Sequence, residues 1–332
     1  MKNARLEEFR QVAYKYLGRA KDATFELTDA ILLTRNIYSL ADLSLSPIFR
    51  RKWPSIYEAL QDSRPQRQKL MQLYIKQIPA EGRPLLAGDH TNWSRPDAVT
   101  LQERTYEHSG TSIAGNKPIT IGQGYSTIAW IPEKSGSWAL PLRHERITSG
   151  ESPKNLHFRK AVTRPMSLLR VERLDVQGNQ RVSKPLWLAW AGEEMPPLEE
   201  VWRLYLRRFT IDHWYRFLKQ RLHWTVPNLS TPKQCERWSD LMPLMTWELW
   251  LARDIVTDNP LPWQKSQGNL TPGRVAQAMG GVFAVIGTPA VAPKSRGKSP
   301  GWTPGKKRHR KNRCPIVKKT VTPPPKEPSI AV

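Results

Sequence analysis

The sequence predicts an α/β protein with an α-helical N-terminal domain, a central sheet region and a basic, largely irregular tail. Three observations predict it. Apolar residues recur at helical spacing over residues 6–78; short apolar runs separated by Gly and Pro fill 83–190; and residues 294–319 carry eleven Lys/Arg and no acid.

The N-terminal periodicity rests on Leu6, Phe9, Val12, Ala13, Tyr16 and Leu17, then on Tyr57, Leu60, Leu70, Leu73 and Tyr74. Pro47, Pro54 and Pro65 divide it into several helices. Residues 1–80 are therefore read as one helical domain. The texture changes at Arg83, where Pro84-Leu85-Leu86-Ala87 runs into Gly88-Asp89-His90, the pattern of a buried strand that delivers an acid at its end. Segments 119–121, 125–131 and 137–142 read as antiparallel strands, and 166–174 with 185–190 as a hairpin turning near Gly178. Residues 198–224 form the most strongly helical segment, read as one helix, and 240–256 another. The second domain is thus 83–256. From 257 to 332 Pro, Gly and basic residues dominate, as expected of an extended tail.

Lys+Arg 52 against Asp+Glu 29 gives a formal charge of +23. So large an imbalance favours a polyanionic partner, while 14 Trp argue against a merely disordered basic chain. Cys235 and Cys314 stand in unrelated contexts, which speaks against both zinc and a disulfide framework. The start MKNARLEEFR has no apolar stretch after its charges, and the weakly polar run 280–292 is too short for a bilayer. These features predict a soluble cytoplasmic protein with no membrane association.

Chemistry concentrates in residues 205–219. On a continuous helix Tyr205, Asp212 and Lys219 stand seven apart and nearly eclipse, with Arg208 between them, so all four fall within a sector of roughly 60°. A carboxylate flanked by cations on one face suits phosphodiester chemistry: the acid holds a divalent cation and the cations grip phosphate oxygens. The same pattern also describes a solvated face with an Arg208–Asp212 ion pair.

The spacing Tyr205-x2-Arg208-x3-Asp212-x6-Lys219 resembles the Y-x2-R-x3-E-x6-K signature of a large group of insertion-sequence DDE transposases, with Asp212 where that group usually has Glu. The strand leading to Gly88-Asp89 resembles the position of their first acid. The segments Gly287-Thr288-Pro289-Ala290 and 293–302 resemble the C-terminal end of a cyanobacterial-type subgroup. The resemblance implies a ribonuclease H-like mixed sheet of order 3-2-1-4-5, with acids on strand 1, at the end of strand 4 and on a helix behind the sheet. It implies two Mg²⁺ ions shared by those acids, with Asp89 and Asp212 as catalytic metal ligands. Tyr205, Arg208 and Lys219 would hold terminal phosphates of the transposon ends.

The expected second acid is missing. Between Asp89 and Asp212 the Asp residues are Asp97, close after the first acid, and Asp175, beside the turn Gln177-Gly178-Asn179. The chain passes from Ser152 directly to Lys154-Asn155-Leu156-His157-Phe158-Arg159, which resembles family sequence from well beyond that acid. An internal deletion around 150–154 accounts for this and predicts loss of strand 4, with the strand at 185–190 free to slide against strand 1.

His90 and Asn92 are candidates to orient Asp89, and His213 to assist proton movement. Trp187, Trp190, Trp214 and Trp224 are either core or a stacking surface for an unpaired base. Lys306, Lys307, Arg308, Arg310, Lys311 and Arg313 are expected to bind the phosphate backbone without reading sequence. Three functions compete: a transposase with DNA as substrate, target and end partner, acting as a homo-oligomer or mixed oligomer; a non-catalytic DNA-binding remnant that interferes with the intact enzyme; and a general RNA-binding protein.

Overall fold

The computed structural model describes residues 3–113, 117–151, 166–172, 177, 186–191, 194–266, 268–295, 301, 303–307 and 309–319. Four helices open the chain: α1 (Ala4–Tyr16), α2 (Lys21–Leu33), α3 (Pro54–Asp62) and α4 (Arg67–Ile75). Leu6, Phe9, Arg10 and Ala13 line the buried face of α1 at the expected spacing. Pro54 occupies the first turn of α3, where its missing N–H costs nothing.

The sheet consists of β1 (Leu86–Ser94), β2 (Arg104–Ile113), β3 (Lys117–Trp130) and β4 (Leu140–Ile147). The long strand β3 is its spine. On one side it pairs antiparallel with β1; on the other it pairs with β4 along 124–130 and with β2 along 119–122. The order β4-β3-β1 thus reproduces the 3-2-1 half of the expected sheet. Further along lie β5 (Met166–Val171) and β6 (Leu186–Ala191), which pair only with each other. The expected slide of 185–190 against strand 1 is not what the structure shows: among the described residues no strand besides β3 pairs with β1. The residues of the proposed deletion junction beyond Glu151, and Asp175, lie outside the described residues.

Two other expectations are corrected, and one strand is added. Asp89 sits in the middle of β1, not at its end, because register continues through Ser94. Strand β2 carries no apolar alternation, since Arg104, Thr105 and Glu107 are polar yet buried. The expected single helix 198–224 is two, α5 (Leu198–Arg207) and α6 (Thr210–Gln220), joined by an elbow of three-residue turns in which Arg208 N–H bonds Tyr205 O and Ile211 N–H bonds Arg208 O.

Helix α7 (Pro232–Ala252) opens on a Thr231 cap that accepts from the Gln234 amide at 3.2 Å, with Pro232 in its first turn. The segment expected to begin the tail instead carries α8 (Pro272–Ile286), ended by Gly287 at φ +64. Its Val275, Met279, Val282 and Phe283 are buried. One hydrophobic core joins the N-terminal helices, the sheet and α6 to α8. Beneath α1, Arg10 bonds both Asp29 of α2 (2.8 Å) and Glu248 of α7. The helical and sheet segments, read as two domains, therefore share one interior. None of the described helices is long and apolar enough to cross a membrane.

Candidate active site

In β1 alternate side chains point to opposite faces. Ala87, Asp89, Thr91 and Trp93 share the face covered by α6 and α7, and Trp93 anchors it by donating its indole N–H to Thr225 O at 3.1 Å. Cross-strand register then sets a row of polar residues across the sheet: Asp89 on β1, Thr127 on β3, His144 on β4. Helix α6 lies over this row with Ile211, Trp214, Tyr215 and Leu218 facing inward. The Tyr215 hydroxyl donates to Thr127 Oγ1 at 2.9 Å, and Thr127 Oγ1 lies 2.9 Å from His144 Nδ1.

The spacing explains the match. Seven helical residues rise about 10.5 Å, close to two strand spacings of about 9.6 Å. A helix crossing the strands can thus set Asp212 over β1, Tyr215 over β3 and Lys219 towards β4.

Asp212 and Asp89 meet across this interface. Burial, followed by the nearby Asp89 charge, raises the Asp212 carboxyl above its ordinary range. Arg208 reaches Asp89 with an N–O distance of 3.2 Å. Its guanidinium also lies over the rings of Phe209 (4.9 Å) and Tyr205 (5.4 Å). The expected Arg208–Asp212 pair is thus replaced by an Arg208–Asp89 pair, because the elbow turns Arg208 towards the sheet. Tyr205 stacks on Trp202 (5.5 Å) and joins the site through Arg208. Lys219 is half-buried, and burial lowers its pKa.

Other candidates fall elsewhere. His90 and Asn92 point to the opposite sheet face, with His90 Nε2 3.3 Å from Glu107 and Asn92 Nδ2 donating to His108 O at 2.6 Å. Neither orients Asp89. His213 is exposed on α6, and Asp97 is exposed after β1. Trp214 and Trp224 are buried, whereas Trp187 is exposed. Lys306, Lys307, Arg310, Lys311 and Arg313 are exposed along the segment leading to Ile316–Val317, which pairs with β2 on the far side of β3 from β1; Arg308 lies outside the described residues.

Sequence reasoning missed Thr127, Tyr215 and His144. His144 stacks on Tyr125 (5.0 Å) and meets the edges of Trp214 (5.2 Å) and Trp224 (5.0 Å). Burial in this aromatic cage, with a smaller contribution from Lys219, lowers its pKa to about 3. The imidazole is neutral at pH 7. A three-residue spacing from Asp212 to Tyr215 was the available signal for the tyrosine; the other two needed the strand register.

Residues 13–169 match the family model described as DDE superfamily endonuclease. The matched stretch runs from α1 through the whole of β1 to β4 into β5, so it includes Asp89, Thr127 and His144. Over it the chain is similar to DDE endonucleases. Asp212, Arg208 and Lys219 lie beyond it. No curated protein matches the chain.

DDE endonucleases generally use divalent metals, which makes the donor set here informative. Among the described residues no cluster of three or more His, Cys, Asp or Glu could hold a metal ion. Two carboxylates remain, and one of them already faces a guanidinium. Mg²⁺ wants near-octahedral oxygen coordination. Asp89 and Asp212 alone do not fit a two-ion centre.

Proposed function

We propose that this chain is a transposase-related protein of an insertion sequence that binds DNA at the transposon ends but does not cut it. The observation that carries the reading is the pairing of Asp89 with Asp212 and Arg208 across β1 and α6, with no third carboxylate among the described residues. Strand scission by two metals needs ligands that place both ions on the attacking and leaving oxygens. Here Arg208 supplies Asp89 with a fixed positive charge instead. In this reading Tyr205, Arg208 and Lys219 hold terminal phosphates, and the exposed tail cations supply sequence-independent affinity.

The similarity of residues 13–169 to DDE endonucleases supports DNA as the partner, and the net charge of +23 supports a polyanion. In the cytoplasm such a protein interferes with an intact transposase by occupying its ends or by mixed assembly.

The test uses the full chain with Mg²⁺ or Mn²⁺ and DNA carrying terminal inverted repeats. The expected result is a retained complex, preferring those ends over unrelated duplex, without nicking or joining. Nicking that Asp89→Ala abolishes would overturn the non-catalytic reading. Equal competition by RNA and by unrelated duplex would overturn end recognition.

A further inference from the structure

We propose that the basic tail is latched to the sheet as a fixed cationic arm whose partner is the phosphate backbone of duplex DNA. The partner rests on the DNA reading above; the latch does not.

The tail is tied at both ends. Near its start, Arg50 donates to Ala290 O (2.7 Å), Arg51 to Val291 O (2.6 Å), and Val291 N–H to Asp22 (2.8 Å). At its far end β7 (Ile316–Val317) pairs in parallel with Arg104 and Thr105 of β2. Just before β7, Cys314 N–H donates to Val99 O at 2.8 Å. The strand addition supplies main-chain bonds, and an ion pair fixes its register.

That ion pair is unusual in its setting. Glu107 is 2 % exposed, and Lys319 Nζ lies 2.8 Å from its Oε1. From β2 the Glu107 side chain crosses β3 above Gly124, where a Cβ would stand 2.7 Å from Oε2, and reaches His90 on β1. Thr105 donates to the same carboxylate. Burial alone would raise this acid, but His90, Lys319 and Thr105 together hold it at about 2. A buried carboxylate, a glycine that makes room for it and a lysine 212 positions away serve one contact.

Between the two anchors the chain carries Lys306, Lys307, Arg310, Lys311 and Arg313, all exposed, and residues 294–319 contain no acid. Charges so placed repel one another until a polyanion arrives. An arm tied at both ends has already lost much of the freedom that a free tail would lose on binding. Affinity therefore depends on the latch, although the latch touches no phosphate.

The experiment measures binding of the full chain to a 30-bp duplex (about three helical turns) over a series of salt concentrations. Replacing Lys307, Arg310, Lys311 and Arg313 by Ala is expected to lower the slope of log K against log salt by about 3 to 4, at about 0.9 per phosphate contact. Glu107→Gln and, separately, Val317→Pro remove no cation. They are expected to weaken binding about tenfold at every salt concentration with the slope unchanged. Wild-type affinity in both latch variants would overturn the proposal, as would an unchanged slope in the quadruple variant. Val317→Pro lies in the tail and cannot unfold the sheet core. Hydrogen exchange of the free protein reads the latch alone: amides of 314–319 should be protected, and Glu107→Gln should release them. Protection without any duplex binding would overturn the partner and the DNA reading together; no protection would overturn the latch itself.

Discussion

A neutral imidazole at position 144 joins the two halves of the candidate site. Its Nδ1 faces Thr127, which accepts from Tyr215, and Tyr215 stands one helical turn after Asp212. Burial and Lys219 hold the folded-state pKa at about 3, against 6.5 for an ordinary histidine. Between these values the unfolded chain binds the proton and the folded one does not, so the contribution of His144 to stability is complete above pH 6.5 and is lost as pH falls towards 3. The slope is about 1.4 kcal/mol per pH unit within that window. Asp240, raised by burial to about 6, works in the opposite direction, so the effect is isolated by comparison. We predict that the stability difference between wild type and His144→Gln shrinks as pH is lowered from 7 to 4. Urea unfolding at several pH values measures it; a constant difference would show that the imidazole takes up its proton over the same pH range folded as unfolded.

Elements with regular apolar spacing were legible in the sequence, and elements held by buried polar groups were not. The N-terminal helices announce themselves because most of their inward residues are apolar, whereas β3 reads as two pieces, 119–121 and 125–131, because Gly122, Gln123 and Gly124 interrupt its apolar pattern. β2 hides because its buried residues Arg104, Thr105 and Glu107 are polar, satisfied by contacts that come from 2 to 212 positions away. The elbow between α5 and α6 hides for another reason: no Pro or Gly marks it, and only the tightened bonds at Arg208 and Phe209 reveal it. So the four-residue signature was readable as a pattern, while the partner of Arg208 was not. Helix α7 shows how much one well-read element can carry. Its Trp247 is fully buried, stacks on Tyr74 of α4 (5.8 Å) and Trp130 of β3 (6.1 Å), and donates to Pro141 O of β4 at 2.8 Å. Trp247→Ala is expected to cost about 3–5 kcal/mol by cavity formation and loss of those contacts. Trp247→Phe should cost less but leave the Pro141 carbonyl without its donor. Chemical denaturation orders the two; equal costs would mean that the ring packing kept by Phe contributes nothing and that loss of the indole N–H carries the whole effect.

At the scale of the whole molecule, the question is whether residues 1–80 and 83–256 fold apart, as the change of texture at Arg83 predicts, or together. Three contacts bear on it. Arg10 of α1 is buried against Asp29 and Glu248, the latter on α7. Tyr74 of α4 stacks on Trp247, and Arg67 of α4 pairs with Asp240 of α7 at 2.8 Å. Removing the first eighty residues would therefore strip one wall from the core and leave Glu248, which is fully buried, without its guanidinium. Breaking a buried pair from one side typically costs about 3–5 kcal/mol, and the face of Trp247 that stacks on Tyr74 would meet water as well. A protein stable by about 5–15 kcal/mol does not survive that sum. We predict that a fragment of residues 83–319 lacks a cooperative thermal transition, while the same fragment mixed with a peptide of residues 1–80 regains one. Calorimetry on the fragment, alone and mixed, decides it. A sharp transition in the fragment alone would mean that the sheet and its helices form an independent unit onto which the N-terminal helices merely dock, and the shared interior would then be an interface rather than a core.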